Sequence, residues 1–455
     1  MYPAKTLAEK IKLFTTILIP ILITQIGMYA MNFFDTVMSG RAGAHDLAGV
    51  AIGSSIWVPV FTGINGILIA LSPIVAQLMG ANKKEDVPEV IRQAIYLSIL
   101  LAGVVMVAGF FLLDFILSQM DLETGVRDIA RHYLMALGAG MIPLFIYNTL
   151  RSFIDALGQT RVSMMITLMA LPVNVLLNYI FIFGKFGAPA LGGIGAGIAS
   201  SLTYLFAMIL SIYMISRHRP FARFHIFTMW KSPSISAWWE QLKIGVPIGF
   251  AIFFETSIFA AVTLFISVYD TVTIAAHQAA INFASLLYMM PLSISMALTI
   301  AVGFEAGGNR FGDARQYGYI GITIAVVFAV IGGAGIFVFD DQIAALYSND
   351  ISVIELTKQF LWFAIFFQLS DAFGAPIQGA LRGYKDVHVT LLMAFVSYWV
   401  IGLPSGFAIA RLTDIGPFGY WIGLITGLAA GAITLFFRLM YIQKRKVRQI
   451  GLEEG

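Results

Sequence analysis

The amino-acid sequence predicts an all-α polytopic membrane protein: twelve transmembrane helices in two pseudo-symmetric six-helix bundles, a parallel repeat around a central cavity. Three observations lead there. Of the 455 residues, 59% are hydrophobic and only 12% are charged, with mean hydropathy +0.84, whereas a soluble domain carries about 25% charged residues. Apolar runs of about 20 residues, the length that crosses a bilayer, recur twelve times along the chain. Short motifs also recur at a common spacing between the two halves.

The runs lie at roughly 13–36, 47–79, 93–118, 129–152, 162–184, 194–215, 244–268, 274–304, 317–338, 357–380, 389–410 and 419–441. The first follows Lys5, Lys10 and Lys12, is too long for a signal-peptide core and lacks a small-residue cleavage site before the next run, so the N-terminus is expected to be retained. Alternate loops carry Lys83, Lys84, Arg92, Arg161, Arg217, Arg219, Arg223, Lys231, Arg310, Arg315, Arg382 and Lys385, while the opposite loops carry only Arg41, Arg127, Arg131, Lys185, Lys358 and Arg411. The positive-inside rule then places both termini in the cytoplasm of a multi-pass cell-membrane protein, with Lys444-Arg445-Lys446 serving orientation and lipid head-group contact. The net charge of +3 reports orientation in the lipid bilayer, so no nucleic-acid partner is expected. Zero cysteines exclude disulfides, thiolate metal sites and cysteine nucleophiles.

The longest polar connection, 216–243, holds Trp230, Pro233, Trp238 and Trp239, amphipathic residues that settle at a membrane interface. It reads as a cytoplasmic linker between an N-terminal lobe, 1–215, and a C-terminal lobe, 244–455. Gly80-Ala81-Asn82 matches Gly307-Gly308-Asn309 at 307 − 80 = 227, and Pro20-Ile21 matches Pro247-Ile248 at 247 − 20 = 227. Ala156-Leu157-Gly158 and Ala380-Leu381-Arg382-Gly383 recur at 380 − 156 = 224. Six spans per half is an even number, so both halves enter the membrane from one side and the repeat is parallel.

Three acids sit within the apolar runs: Asp35, Glu255 and Asp371. A charge at bilayer depth costs about 2.5–3.5 kcal/mol on insertion scales, so a spanning helix that keeps one needs it. The runs offer no deep Lys or Arg to neutralise them, which makes a poor structural network but a good cation or proton site. Glu255 and Asp371 belong to the first and fourth runs of the second half, and Tyr288 in the second run of that half adds a phenolic oxygen. The two acids form the expected Na⁺ site, because a hard cation wants several oxygens. Asp35 stands alone on the first run, with Asn174 and Asn178, four apart and therefore on one helix face, as its expected company. Glu255 has Met28 as its counterpart at 255 − 227 = 28, and Asp371 has Tyr147 at 371 − 224 = 147. The halves share a scaffold and differ in chemistry. Phe253, Phe259, Phe367 and Met31 crowd the acids and are the candidate walls of a substrate cavity, since apolar and aromatic walls plus a carboxylate match lipophilic cations.

A carboxylate that exchanges H⁺ for Na⁺ is a coupling device, so the chain reads as a secondary antiporter and not an enzyme. The six histidines, at 45, 132, 218, 225, 277 and 388, fall near run ends or in loops, His277 being the one to check, and no Gly-x-x-x-x-Gly-Lys loop for ATP is present. No cofactor is expected beyond Na⁺ or H⁺ as coupling ion, and a monomer is expected.

With its twelve spans in two lobes, the two Gly-x-Asn turns, the Ala380-Leu381-Arg382-Gly383-Tyr384-Lys385-Asp386 segment and the three acids, the chain resembles the multidrug and toxic compound extrusion (MATE) transporters over essentially its whole length, and most resembles their NorM-like branch. The resemblance implies a second-lobe cation site at Glu255 and Asp371, proton or substrate coupling at Asp35, and efflux of lipophilic organic cations in exchange for Na⁺ or H⁺. In the DinF branch an acid stands on the fifth span, where this chain has Asn174 and Asn178, and Phe367 stands where some NorM-like members have tyrosine. The competing reading is a lipid-linked oligosaccharide flippase of the same superfamily, whose anionic substrate calls for Lys or Arg in the cavity. The middles of the runs lack both.

Overall fold

A computed structural model describes residues 2–228 and 230–453. The helices are α1 (Leu7–Ala42), α2 (Ala44–Ile69), α3 (Leu71–Gly80), α4 (Val87–Ser118), α5 (Thr124–Ala139), α6 (Met141–Ala156), α7 (Thr160–Phe183), α8 (Gly193–Arg217) and the short α9 (Arg219–Ala222). They continue with α10 (Ile235–Ile266), α11 (Thr271–Gly307), α12 (Phe311–Ala345), α13 (Ile351–Gly383), α14 (His388–Phe395), a π-helical segment Val396–Gly402, α15 (Leu403–Leu412) and α16 (Phe418–Glu453). Among the described residues eleven spans are long and apolar enough to cross a membrane, and α5 with α6, bent by 50°, makes a twelfth. The bend falls at Gly140, where a Cβ would stand 2.4 Å from Ser201 Oγ. Glycine is a residue at which spanning helices kink, and here it also lets the chain approach α8.

Two compact units emerge: Met1–Leu18 with Phe250–Gly455, and Ile19–Gly249. The expected lobes, cut at 215 and 244, kept each first span whole. The packing instead exchanges their leading segments, so that α1 begins in one unit and continues in the other, and α10 does the reverse. Both changes of unit fall within three residues of a proline inside the helix, Pro20 and Pro247, the pair 227 apart. The reason is visible in the contacts. Lys10, 2% exposed, reaches Asp313 Oδ1 and Gln316 Oε1 at 2.5 Å each, and Phe14 packs on Tyr317. Gln241, near the start of α10, donates to the Val90 carbonyl at 3.0 Å.

The connection 216–243 is not a loose tether. Arg92 donates to the Ile226 and His225 carbonyls at 2.8 and 3.2 Å, and the Phe153 ring meets Phe221 and Phe224 edge-on. The segment is thus fastened to the unit Ile19–Gly249.

Turn geometry fixes the register of the repeat. Asn82 and Asn309 both take left-handed backbone, φ 59 and 57, and so do Gly158 and Lys385, φ 74 and 60. Both pairs are 227 apart (309 − 82 and 385 − 158). The Ala-Leu match at 224 is therefore about one helical turn out of register. At 227 the counterpart of Asp371 is position 144, a leucine, and not Tyr147.

Small residues bring spanning helices close where lipid offers no hydrophobic drive. At Gly379 on α13 an added Cβ would lie 2.2 Å from the Ser295 carbonyl oxygen of α11, and Thr299 donates to the Gly379 carbonyl at 3.0 Å. Behind this contact the second unit has a dense core: Ile258, Val262, Phe360, Leu361, Phe367, Trp421 and Leu424 are all buried. His277 belongs to that core. Trp421 Nε1–H donates to its Nδ1 at 3.1 Å and Thr263 Oγ1 stands 3.0 Å from its Nε2, so both ring nitrogens are used in packing.

Candidate cation sites

Each of the three deep acids is buried: Asp35 is 6% exposed, Glu255 8% and Asp371 5%. They fall into two clusters, one in each unit.

In the unit Ile19–Gly249, Asp35 on α1 accepts three side-chain hydrogen bonds. Asn174 Nδ2 and Asn178 Nδ2 on α7 donate to Oδ1 at 3.2 and 2.6 Å, and Ser200 Oγ on α8 donates to Oδ2 at 2.8 Å. The four-residue spacing that put both amides on one face thus brings both to the acid. Asn178 Nδ2 also reaches Asn174 Oδ1 at 3.2 Å. Asn178 Oδ1, in contrast, is buried with no hydrogen-bond partner among the described residues. A buried acceptor without a donor costs about 1–3 kcal/mol, so beside Asp35 there is a free oxygen suited to a proton carrier or a cation. Sequence reasoning missed Ser200. Its only trace is the polar pair Ser200-Ser201 in a glycine- and alanine-rich helix start.

In the other unit, Glu255 sits on α10, two turns after Pro247. Tyr288 on α11 donates its hydroxyl to Glu255 Oε1 at 3.0 Å, and the Gln378 side chain on α13 lies near enough to act on this carboxylate. Asp371, two turns before Gln378 on the same helix, lies within electrostatic reach of Glu255, and both acids act on Tyr288 and Tyr398. Tyr398 belongs to the π-helical segment, a form that often marks functional positions because its wider turn re-aims side chains. Among the described residues no three His, Asp or Glu side chains gather as a metal site. A cation here would be held by two carboxylates and neutral oxygens.

The expectation that no deep cation accompanies these acids needs correction. Arg382, near the end of α13, is 7% exposed and donates through Nη2 to Gln378 Oε1 at 3.3 Å, and its charge reaches Glu255. Arg151 on α6 is equally buried, donating to Gln25 Oε1 at 2.9 Å and Met28 Sδ at 3.0 Å, with Asp155 Oδ2 3.5 Å from its Nε. Arg382 lies one residue from the end of α13 and therefore reads as part of the adjoining loop, whereas Arg151 falls at the very edge of the run 129–152.

The aromatic candidates divide. Phe367, 4% exposed, is clamped between Phe259 at 5.6 Å and Trp421 at 6.1 Å, so its ring fills the interior of its unit. Phe253 is 37% exposed and Met31 half-buried, and both present apolar surface.

The MatE family profile matches residues 20–180 and again 247–408, one copy in each half and with starts 227 apart. The chain belongs to the MatE family. Its relatives include the "Probable multidrug resistance protein NorM" of Oceanobacillus iheyensis, 59% identical over 447 residues and covering 98% of this chain and 100% of that one. The protein of the same name from Bacillus subtilis is 60% identical, over 96% of this chain and 97% of that one. Among solved structures, the eukaryotic MATE transporter AtDTX14 superposes with TM-score 0.87 at 21% identity, covering 97% and 98% of the two chains. An outward-facing multidrug resistance MATE transporter of the MOP superfamily gives 0.87 at 20%, covering 96% and 97%. These two show a shared fold. As a MATE protein the chain is a transporter, not an enzyme, and the NorM-like resemblance drawn from its acids and turns agrees with its relatives.

Proposed function

We propose that this MATE transporter exports lipophilic organic cations in exchange for Na⁺ or H⁺ by alternating access, with the coupling ion held at Glu255 and Asp371. The observation that carries the reading is the second-unit cluster: two buried carboxylates with two phenols and one amide, on four separate segments. Burying two like charges together is costly unless a cation or a proton neutralises them. Such a site releases one ion as it takes the other. Asp35, with its three donors and the free Asn178 oxygen beside it, serves as the second exchangeable site, for a proton or for substrate.

A flippase for an anionic lipid-linked substrate needs uncommitted cations. Arg151 is held by Gln25 and Asp155, and Arg382 by Gln378 within the field of Glu255, so neither supports that reading. The test is dye efflux from everted vesicles with Na⁺ and pH gradients imposed separately. Accumulation driven by either gradient and lost in Glu255→Gln/Asp371→Asn supports the proposal, and accumulation unchanged in that variant at equal expression defeats it.

A further inference from the structure

At the ends of α12, α13 and α16 that lie away from the basic loops, a cavity of about 620 Å³ opens between Asp340, Glu355, Trp362, Phe363, Phe366 and Phe418. It uses none of the three deep acids. Glu355, Trp362 and Phe366 recur at seven and four residues along α13, which sets them on one helix face. The walls are aromatic: Phe363 stacks on Phe418 with centroids 5.3 Å apart and planes 19° from parallel, and Trp362 leans on Phe337 at 5.8 Å. Trp362 and Phe366 nonetheless keep 52% and 61% of their surface uncovered.

Polar groups set the sign of the ligand. Trp362 Nε1–H donates to Asp340 Oδ2 at 3.2 Å, which fixes indole and carboxylate side by side. Lys358, the one cation among the described lining residues, is taken by Asp341 at 2.7 Å, with Glu355 at 3.8 Å. Two lining carboxylates plus Asp341 therefore face a single lysine, and the cavity is net negative. An anionic phospholipid head group would need a free cation for its phosphate, acyl chains alone would be poorly matched to a floor that includes Asp340, and a zwitterionic head group is the rival that the test below addresses. A compact aromatic cation satisfies both the rings, through cation–π attraction, and the acids.

We propose that this cavity is a second binding site for lipophilic organic cations, an ammonium or phosphonium centre on an aromatic body. It shares the substrate class of the transport reading but none of its residues, so the two can fail separately. Trp362 and Phe366 precede Asp371 by nine and five residues on α13, about 14 and 8 Å along the axis at 1.5 Å per residue, which sets the cavity apart from the coupling site.

The test measures equilibrium binding of tetraphenylphosphonium to purified transporter in lipid nanodiscs, in the Asp35→Asn/Glu255→Gln/Asp371→Asn background. Residual binding is expected there, weakened about tenfold by adding Asp340→Asn/Glu355→Gln and by Trp362→Leu alone. The neutral triphenylphosphine oxide should not compete. Thermal unfolding checks that each variant is folded, and Trp362→Leu decides the matter if the double carboxamide variant is not. Absence of residual binding, indifference to both sets of substitutions, or displacement by added phosphatidylethanolamine would overturn the proposal. Unimpaired drug transport by the background variant would count against the coupling site alone.

Discussion

Arg382 offers a direct way to test whether the second-unit cluster binds a cation. Its guanidinium is buried and joined to Glu255 through Gln378. With Gln378 bridging them, the two charges would stand about 8 Å apart, the span of two hydrogen bonds and one amide. At an effective dielectric of about 20, two unit charges at that distance interact by about 2 kcal/mol. A Na⁺ ion at Glu255 feels the same charge as repulsion. Arg382→Gln should therefore tighten Na⁺ binding, by about thirtyfold if the whole interaction is felt and by about fivefold if water screens half of it.

The assay is Na⁺ binding to the purified protein by calorimetry at alkaline pH, where protons do not compete. Arg382→Lys keeps the charge and should stay near wild type. Loss of the guanidinium also leaves Gln378 Oε1 without its donor, a cost of about 1–3 kcal/mol in stability, which thermal unfolding reports independently. Unchanged or weaker Na⁺ binding in a folded Arg382→Gln protein would refute both the placement of the cation at Glu255 and the role of Arg382 as its resident competitor.

Glu255→Gln should abolish measurable Na⁺ binding while Asp35→Asn leaves it nearly intact and impairs drug–proton exchange, because the two acids belong to separate clusters; equal loss in both would contradict that division. Below the site's apparent pKa the Na⁺ dissociation constant should rise about tenfold per pH unit for one displaced proton and level off above it, as read by titrations across the pH range, and a flat profile would rule out competition. Gly379→Val should lower the melting temperature sharply, since even a Cβ would meet the Ser295 carbonyl at 2.2 Å, whereas Phe111→Ala, at a ring 71% exposed on α4, should change neither stability nor transport.

Much of this was legible in the sequence, for identifiable reasons. A bilayer demands long apolar runs, so the twelve spans could be counted, including the fourth, whose bend at Gly140 interrupts the helix but not the hydropathy. A buried charge in such a run is costly, so Asp35, Glu255 and Asp371 stood out, and helical spacing linked Asn174 with Asn178. What could not be read were matters of handover and register. Nothing in the hydropathy of α1 or α10 says that its first turns pack in the other unit, because the same apolar stripe serves either neighbour. The repeated Ala-Leu pair shifts the register by three residues, since alanine and leucine recur by chance in any spanning helix, while the left-handed backbone at Gly158 and Lys385 does not. Gln378 and Arg382 lay in plain view four residues apart, but only packing shows that they point at Glu255.

The corrected register explains how one scaffold carries two chemistries. At an offset of 227, Glu255 corresponds to Met28, Gln378 to Arg151 and Arg382 to Asp155. The same pair of positions meets in each unit: Gln378 lies against Glu255, and Arg151 donates to Met28. In both, a residue one turn further along the helix, Arg382 or Asp155, carries the charge opposite to the partner it can reach. In the first unit that residue is Asp155, and the Arg151–Asp155 pair closes on itself, with Ser163 Oγ donating to Asp155. It contains as many positive as negative charges and has no need of an external ion. In the second unit Asp371 is added, at the position where the first has Leu144. Of the two acids only Glu255 is in the field of Arg382, so on the proposed reading Asp371 brings the charge that a Na⁺ or a proton balances. On that reading the unmatched acid, more than the burial of any single one, turns a structural ion pair into an exchange site.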